Sequence, residues 1–348
     1  MKPYIRSIFV MVSLVRLTLP LVATAAEPQS EPLVIAHRGA SGYLPEHTLP
    51  AVALAHSLGA DFIEQDIVLT KDNQPLVIHD AILDNMTNVR EVFPARHRED
   101  GHFYVADFTL AEIRTLSVHE RVDPNTGQLA FSQRFPLSNV HFTLATLAEH
   151  IELIQGLNHT TGRNVGLLVE LKDPGKDRAA GRDMSRIVLD TLAKYGYQDR
   201  DDNAIVQTFD YDELARIRKE LGTDLRLFQL CNDQTLKLPR EADDAQLTAA
   251  LEKLAGYADG VGPSIEILLT KSRIPGAPQV NNFIDIAHHA GLDVVVYTFR
   301  SDALPPAFAT LSELVDTFQD AHIEGFITDF PDRVRAEFAA GVVSGARR

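Results

Sequence analysis

The sequence predicts an α/β chain folded as a (β/α)8 TIM barrel. Three observations carry that expectation. Eight short apolar runs recur between residues 33 and 330, mostly continuous rather than alternating, as in strands buried on both faces of a parallel sheet. Helical patterns with readable caps separate them. No G-x-G-x-x-G follows the first run, and eight strands in roughly 300 residues suit a closed barrel better than an open doubly wound sheet.

The first run is LVIAH (33–37). Thr48 is placed to cap the next helix, with Pro50 in its first turn and Gly59 ending it. FIEQDIV (62–68), VGLLVEL (165–171) and AIVQTF (204–209) are the next three strands. Asp210 and Glu213 then stand at capping-box spacing, opening a helix that ends near Gly222. LRLFQL (225–230), ADGVGPS (258–264), DVVVYTF (293–299) and GFITDF (325–330) complete the set, with Gly291 stopping the helix before the seventh. The repeat breaks once. After the short run PLVIH (75–79), residues 81–145 lack a parallel-strand signal and show one helix start, Thr109 with Glu112. This stretch is expected to be an insertion at the mouth of the barrel, because long structured loops there usually serve function.

Charge narrows the function. The 348 residues carry a net charge of -15, which argues against an electrostatic grip on nucleic acid or anionic lipid. A small phosphate ester is still admissible, since a few cations in one pocket suffice. Lys2, Arg6, the apolar run IFVMVSLV and the small residues at 23–26 predict a cleaved Sec-type signal peptide over residues 1–26 and export to the periplasm, leaving one domain over 27–348. Arg16 interrupts the apolar stretch, and neither half reaches the ~20 residues of a membrane span. Losing those three cations takes the net charge from -15 to -18. Cys231 is the one cysteine, so the core must stabilise the fold without a disulfide, and the residue is expected to be a small buried hydrophobe. Nothing in the sequence sets an oligomeric state.

Barrel chemistry sits where the strands end. The first strand ends in His37-Arg38, the second carries Glu64 and Asp66, PLVIH ends in His79-Asp80, and the third ends in Glu170-Leu171-Lys172. Residues i and i+2 of a strand face one side, so Glu64 pairs with Asp66 and Glu170 with Lys172. Carboxylates crowded together raise one another's pKa unless a cation stands between them. They are either paired with arginine or gathered on a hard divalent cation, for which oxygen ligands favour Ca²⁺ or Mg²⁺ over Zn²⁺. His37 and His79 are candidate acid and base. His47 is close enough in sequence to reach the mouth, whereas His97, His102 and His119 lack paired spacing and His288-His289 reads as helix surface. Three carboxylates, one divalent cation and a phosphodiester sum to a charge that Arg38 and Lys172 would neutralise, which makes a phosphodiester a fitting substrate.

The segments AHRGASGYLPEHT, EQDIVLTKDNQPLVIHD, ELK and GFITDFPD resemble the glycerophosphodiester phosphodiesterases, over Leu33 to Arg333. The chain is most similar to the exported bacterial branch, in its PEHT form, its insertion with DFTLAEI, and the segments IQGLNHTTGRNVG and YADGVGP. Many members of the family have Asn where His47 stands. The resemblance implies a barrel enzyme with one divalent cation, Ca²⁺ favoured and Mg²⁺ admissible. It would hydrolyse small-molecule glycerophosphodiesters to sn-glycerol 3-phosphate and an alcohol. Glu64, Asp66 and Glu170 would hold the cation, His37 and His79 would move protons, and Arg38 and Lys172 would contact phosphate. Glu46 would brace the first-strand histidine, and Tyr297 and Phe209 would line the mouth. The glycerol 2-hydroxyl would attack phosphorus, with direct attack by water as the rival route. Two other readings are a phospholipase acting on intact lipid and an exported binding protein that keeps the barrel without the chemistry.

Overall fold

The computed structural model describes residues 31–123, 125–235, 243–270 and 279–343. The expected signal peptide, residues 1–26, lies outside the described residues. From Pro32 onward the described chain packs as one unit.

The strands are β1 (Leu33–Ala36), β2 (Phe62–Leu69), β3 (Pro75–Val77), β4 (Gly166–Leu171), β5 (Ala204–Thr208), β6 (Arg226–Cys231), β7 (Gly260–Pro263), β8 (Leu269–Thr270), β9 (Gln279–Val280), β10 (Asp293–Phe299) and β11 (Gly325–Thr328). Among the described residues, eight of them run parallel in the order β1-β2-β4-β5-β6-β7-β10-β11, and β11 pairs back onto β1. The sheet is therefore a closed barrel, with a strand at each of the eight expected runs. β3 folds back antiparallel on β2 outside the ring, and β8 and β9 form a small antiparallel pair of their own.

Strand alternation divides the apolar residues into two layers. Ile35, Phe62, Leu168, Ile205, Phe228, Val295 and Ile327 fill the barrel interior. Val34, Ile63, Val169, Val206, Leu227, Val296 and Phe326 belong to the outer layer, packed beneath the helices. Two glycines let the interior close. A Cβ on Gly166 would meet the Phe62 ring at 2.4 Å and the Asn203 carbonyl at 2.7 Å, and one on Gly260 would meet the Phe228 ring at 2.7 Å. A missing side chain on one strand thus admits a ring from its neighbour. Cys231 is fully buried, as expected.

The caps form with one correction. Thr48 accepts from the Ala51 amide at the start of the helix Leu49–Ser57. Asp210 accepts from the Asp212 and Glu213 amides, but Glu213 does not return the reciprocal half of a capping box. Its carboxylate turns inward to accept from Ser185 Oγ at 2.6 Å and Arg216 at 2.6 Å, because tertiary partners compete for it.

The insertion carries its own small core. Leu83, Met86, Phe103, Phe108, Ile113, Leu116 and Val118 pack with Val68 and Leu76 of β2 and β3. Thr109 and Glu112 form the expected capping box, on the helix Leu110–Ile113. A further single turn, Val89–Val92, was too short to leave a periodic signal.

Candidate active site

The polar residues stand directly above the interior apolar layer, at the C-terminal ends of the same strands. Ile35 is followed by His37, Phe62 by Glu64 and Asp66, Leu168 by Glu170 and Lys172, Ile205 by Gln207 and Phe209, Val295 by Tyr297, and Ile327 by Asp329. Each step is two residues, so each side chain keeps the inward direction of its apolar predecessor. Pairing register then brings them level. Asp66 lies opposite Glu170 across β2 and β4, and Glu170 opposite Gln207 across β4 and β5.

Glu64, Asp66 and Glu170 converge, with one oxygen of each within 4.8 Å of the others, and all three are buried. Asp66 Oδ1 has no hydrogen-bond partner. Burial, then the charges of Asp66 and Glu170, push the Glu64 carboxyl well above its usual range. Burial takes Glu170 to about 7 against the pull of Lys172. Asp66 goes the other way: burial opposes its charge, but Lys172, His79 and His47 together hold it well below the usual range. Lys172 donates to Glu170 at 2.6 Å and stands 3.6 Å from Asp66. The Arg38 guanidinium also stands 3.5 Å from Asp66, but it is shared with Glu46, and these two cations are too few for three buried carboxylates. An all-oxygen donor set with an unpartnered oxygen suits a hard divalent cation.

The histidines face the same space from two directions. His37 Nδ1 lies 2.5 Å from Asp329 Oδ1, and its Nε2 is 3.8 Å from Glu64. Asp329 Oδ2 accepts from Arg134 at 2.6 Å and Arg300 at 2.8 Å. His79 Nδ1 lies 2.5 Å from Asp80 Oδ1, and Asp80 Oδ2 accepts from Arg121 at 2.5 Å and Asn85 at 2.6 Å. With Nδ1–H donated to a carboxylate, each ring presents Nε2 to the cavity. Burial first, and Arg38 next, draw both imidazoles down to about 4.

Arg38 adopts a left-handed backbone, φ 58°, which aims its amide at Glu64 Oε2, 2.9 Å away. Its Nη1 donates to both oxygens of Glu46 at 3.0 Å. Glu46 therefore does not brace His37, contrary to expectation. Its carboxylate is shared by Arg38 and Arg121, whose Nη2 donates at 2.6 Å, while Asp329 occupies His37 Nδ1. His47 reaches the site from below: fully buried, with Nε2 2.7 Å from Asp66 Oδ2.

A cavity of about 200 Å³ lies over this constellation, lined by His37, Arg38, Glu64, His79, Glu170 and Lys172. Phe209 and Tyr297 form part of its wall, edge to face at 6.1 Å. The Tyr297 hydroxyl donates to the Cys231 carbonyl at 3.0 Å, so this residue offers the cavity a ring rather than a donor.

Residues 37–333 match the Glycerophosphoryl diester phosphodiesterase family. The chain belongs to that family. It is 40% identical to the glycerophosphodiester phosphodiesterase of Haemophilus influenzae, an alignment covering 90% of this chain and 91% of the other. It is 38% identical to the Treponema pallidum protein of the same name, covering 89% and 92%. Among solved structures, a candidate glycerophosphoryl diester phosphodiesterase of Silicibacter pomeroyi is 26% identical with a TM-score of 0.68, covering 90% of this chain and 95% of that one. An Oleispira antarctica phosphodiesterase in complex with sn-glycerol-3-phosphate shares the fold at 20% identity and a TM-score of 0.60, covering 88% and 97%.

Sequence reasoning missed several residues of this glycerophosphoryl diester phosphodiesterase site. Asp329 was reachable, since the i+2 rule applied to GFITD turns it inward after Ile327. Asp80 adjoins His79 in sequence, but adjacency alone assigns it no role. Gln207, Glu266 and Arg300 also line the cavity, and Arg121 and Arg134 stand behind it. No local pattern marks Arg121 or Arg134, whose aspartate partners lie 41 and 195 residues away respectively.

Proposed function

We propose that this chain hydrolyses glycerophosphodiesters to sn-glycerol 3-phosphate and an alcohol, using one divalent cation, with Ca²⁺ preferred over Mg²⁺. One observation carries the reading: two imidazoles, each with Nδ1 on a carboxylate, share a single small cavity with Glu64 and Glu170, which converge with Asp66. Glu64, Asp66 and Glu170 would hold the cation, which supplies positive charge opposite the phosphate and stabilises charge developing there. Arg38 and Lys172, which line the cavity, supply further cationic contact to the non-bridging oxygens. Both imidazoles enter neutral, so either Nε2 can take a proton. One imidazole takes it from the glycerol 2-hydroxyl, whose oxygen bonds to phosphorus as the bond to the alcohol breaks. The other, which takes up a proton from solvent as the anionic diester binds beside it, gives that proton to the departing oxygen. Water then opens the cyclic phosphate by the reverse transfers. Phe209 and Tyr297 provide an apolar wall for the carbon skeleton.

A coupled sn-glycerol 3-phosphate assay on glycerophosphocholine and glycerophosphoethanolamine tests the reading. Turnover is expected with Ca²⁺, none with chelator, and none on intact phospholipid. Turnover that survives chelation contradicts the cation assignment, and a preference for intact lipid contradicts the substrate class. A diester lacking the 2-hydroxyl should be nearly inert, and normal turnover on it would favour direct attack by water. The further reading of export to the periplasm rests on the sequence of residues 1–26 and the PEHT-type likeness. Finding the mature N-terminus near residue 27 after expression in a Gram-negative host would support it.

A further inference from the structure

The carboxylates behind the two histidines are held alike. In each, one oxygen meets histidine Nδ1, and the other accepts from an arginine of the insertion plus a second donor. Asp329 has Arg134 and Arg300, whereas Asp80 has Arg121 and Asn85. These arginines are not loosely placed surface charges. The Arg134 side chain is only 4% exposed, its guanidinium lies 3.7 Å from the Phe131 ring centre, and it is forked onto Asp302 at 2.9 and 3.2 Å. Arg121 is similarly fixed, bridging Asp80 to Glu46. A carboxylate with its outer oxygen bonded in this way resists rotation. The inner oxygen then stays on Nδ1, and the ring stays aimed with Nε2 toward substrate.

We propose that Arg121 and Arg134 are positioning residues, one for each active-site histidine, so that the insertion completes the proton-transfer apparatus. The inference rests on the diesterase reading above. It assigns the insertion a task inside the reaction. The two arginines serve different rings, and therefore different proton transfers.

Leaving-group chemistry separates those transfers. Glycerophosphocholine releases an alkoxide that needs a proton, whereas the p-nitrophenyl diester of glycerol 3-phosphate releases a phenolate that does not. Arg121→Met and Arg134→Met are each expected to lower kcat on glycerophosphocholine on the order of 10- to 100-fold with KM within roughly threefold. In single-turnover release of p-nitrophenolate, which precedes opening of the cyclic phosphate, one variant should regain most of the wild-type rate, namely the one that serves the acid. The other should remain slow. Equal slowing on both esters by both variants, or a wild-type kcat in both, overturns the proposal. If Arg134→Met lacks a cooperative melt, Arg134→Lys keeps the charge but not the fork and is read in the same way. Wild-type protein inert on both esters would overturn the diesterase reading and this inference with it. An active wild type with indifferent variants overturns the inference alone.

Discussion

The two halves of the site are electrostatic opposites. On the β2–β4 side, three buried carboxylates face the Lys172 ammonium and an Arg38 guanidinium shared with Glu46, and two of them are pushed upward in pKa. On the side behind the histidines, each carboxylate has two cationic or amide donors on one oxygen and an imidazole on the other, and Asp329 is held well below its usual range despite burial. The first half is short of positive charge and is suited to acquire an ion. The second is already satisfied and is suited to keep still. Binding and orientation thus make opposite demands on the same residue type.

The contrast can be broken at four places. The largest effect belongs to the rings themselves. His37→Ala and His79→Ala should each cut kcat by roughly 10²- to 10⁴-fold with the melting transition retained, and a near-normal rate in either variant removes that ring from proton transfer. Next comes the brace. Asp329→Asn should lower stability by about 1–3 kcal/mol in a urea melt, since it removes the anion shared by Arg134, Arg300 and His37 while Arg134 keeps Asp302. An unchanged midpoint would mean the satisfied half is no more rigid than the other.

The ion side should respond in reverse. Glu64→Gln is expected to weaken Ca²⁺ binding more than roughly tenfold by calorimetry, yet to raise the melting temperature of the chelated protein by relieving like charge. A fall in that temperature would show that Glu64 is structurally satisfied without a cation.

The smallest effect concerns Glu120, buried in the insertion, where burial first and Glu46 second raise its carboxyl to about 7. The folded state then binds more protons than the unfolded chain between pH 4.5 and 7, so stability should decline as pH rises through that window. Glu120→Gln should flatten this slope, by up to about 3 kcal/mol across the window, in urea melts at several pH values. A slope unchanged from wild type would exclude Glu120 as its source.

The ion side was legible in the chain because it is local. Glu64 and Asp66 are two residues apart on one strand, Glu170 and Lys172 two apart on the next, and an apolar background makes each acid conspicuous. The histidines were legible for the same reason, as polar strand ends. Glu46 misled because its place in the family's signature loop suggested His37, whereas two guanidinium groups compete for its carboxylate and Asp329 takes the ring.

Continuous apolar runs separated by capped helices therefore determined the barrel and its eight staves, and the period of two along each strand determined which side chains point into the mouth, since both are local and need no knowledge of the rest of the molecule. The partners of those side chains were decided by tertiary structure alone. Barrel closure brings Asp329 to His37 across 292 positions, and the insertion's core carries Arg121 and Arg134 to carboxylates 41 and 195 residues away. A side-chain charge interacts over a few ångströms of space, and distance along the chain leaves no periodic trace of which charges will meet.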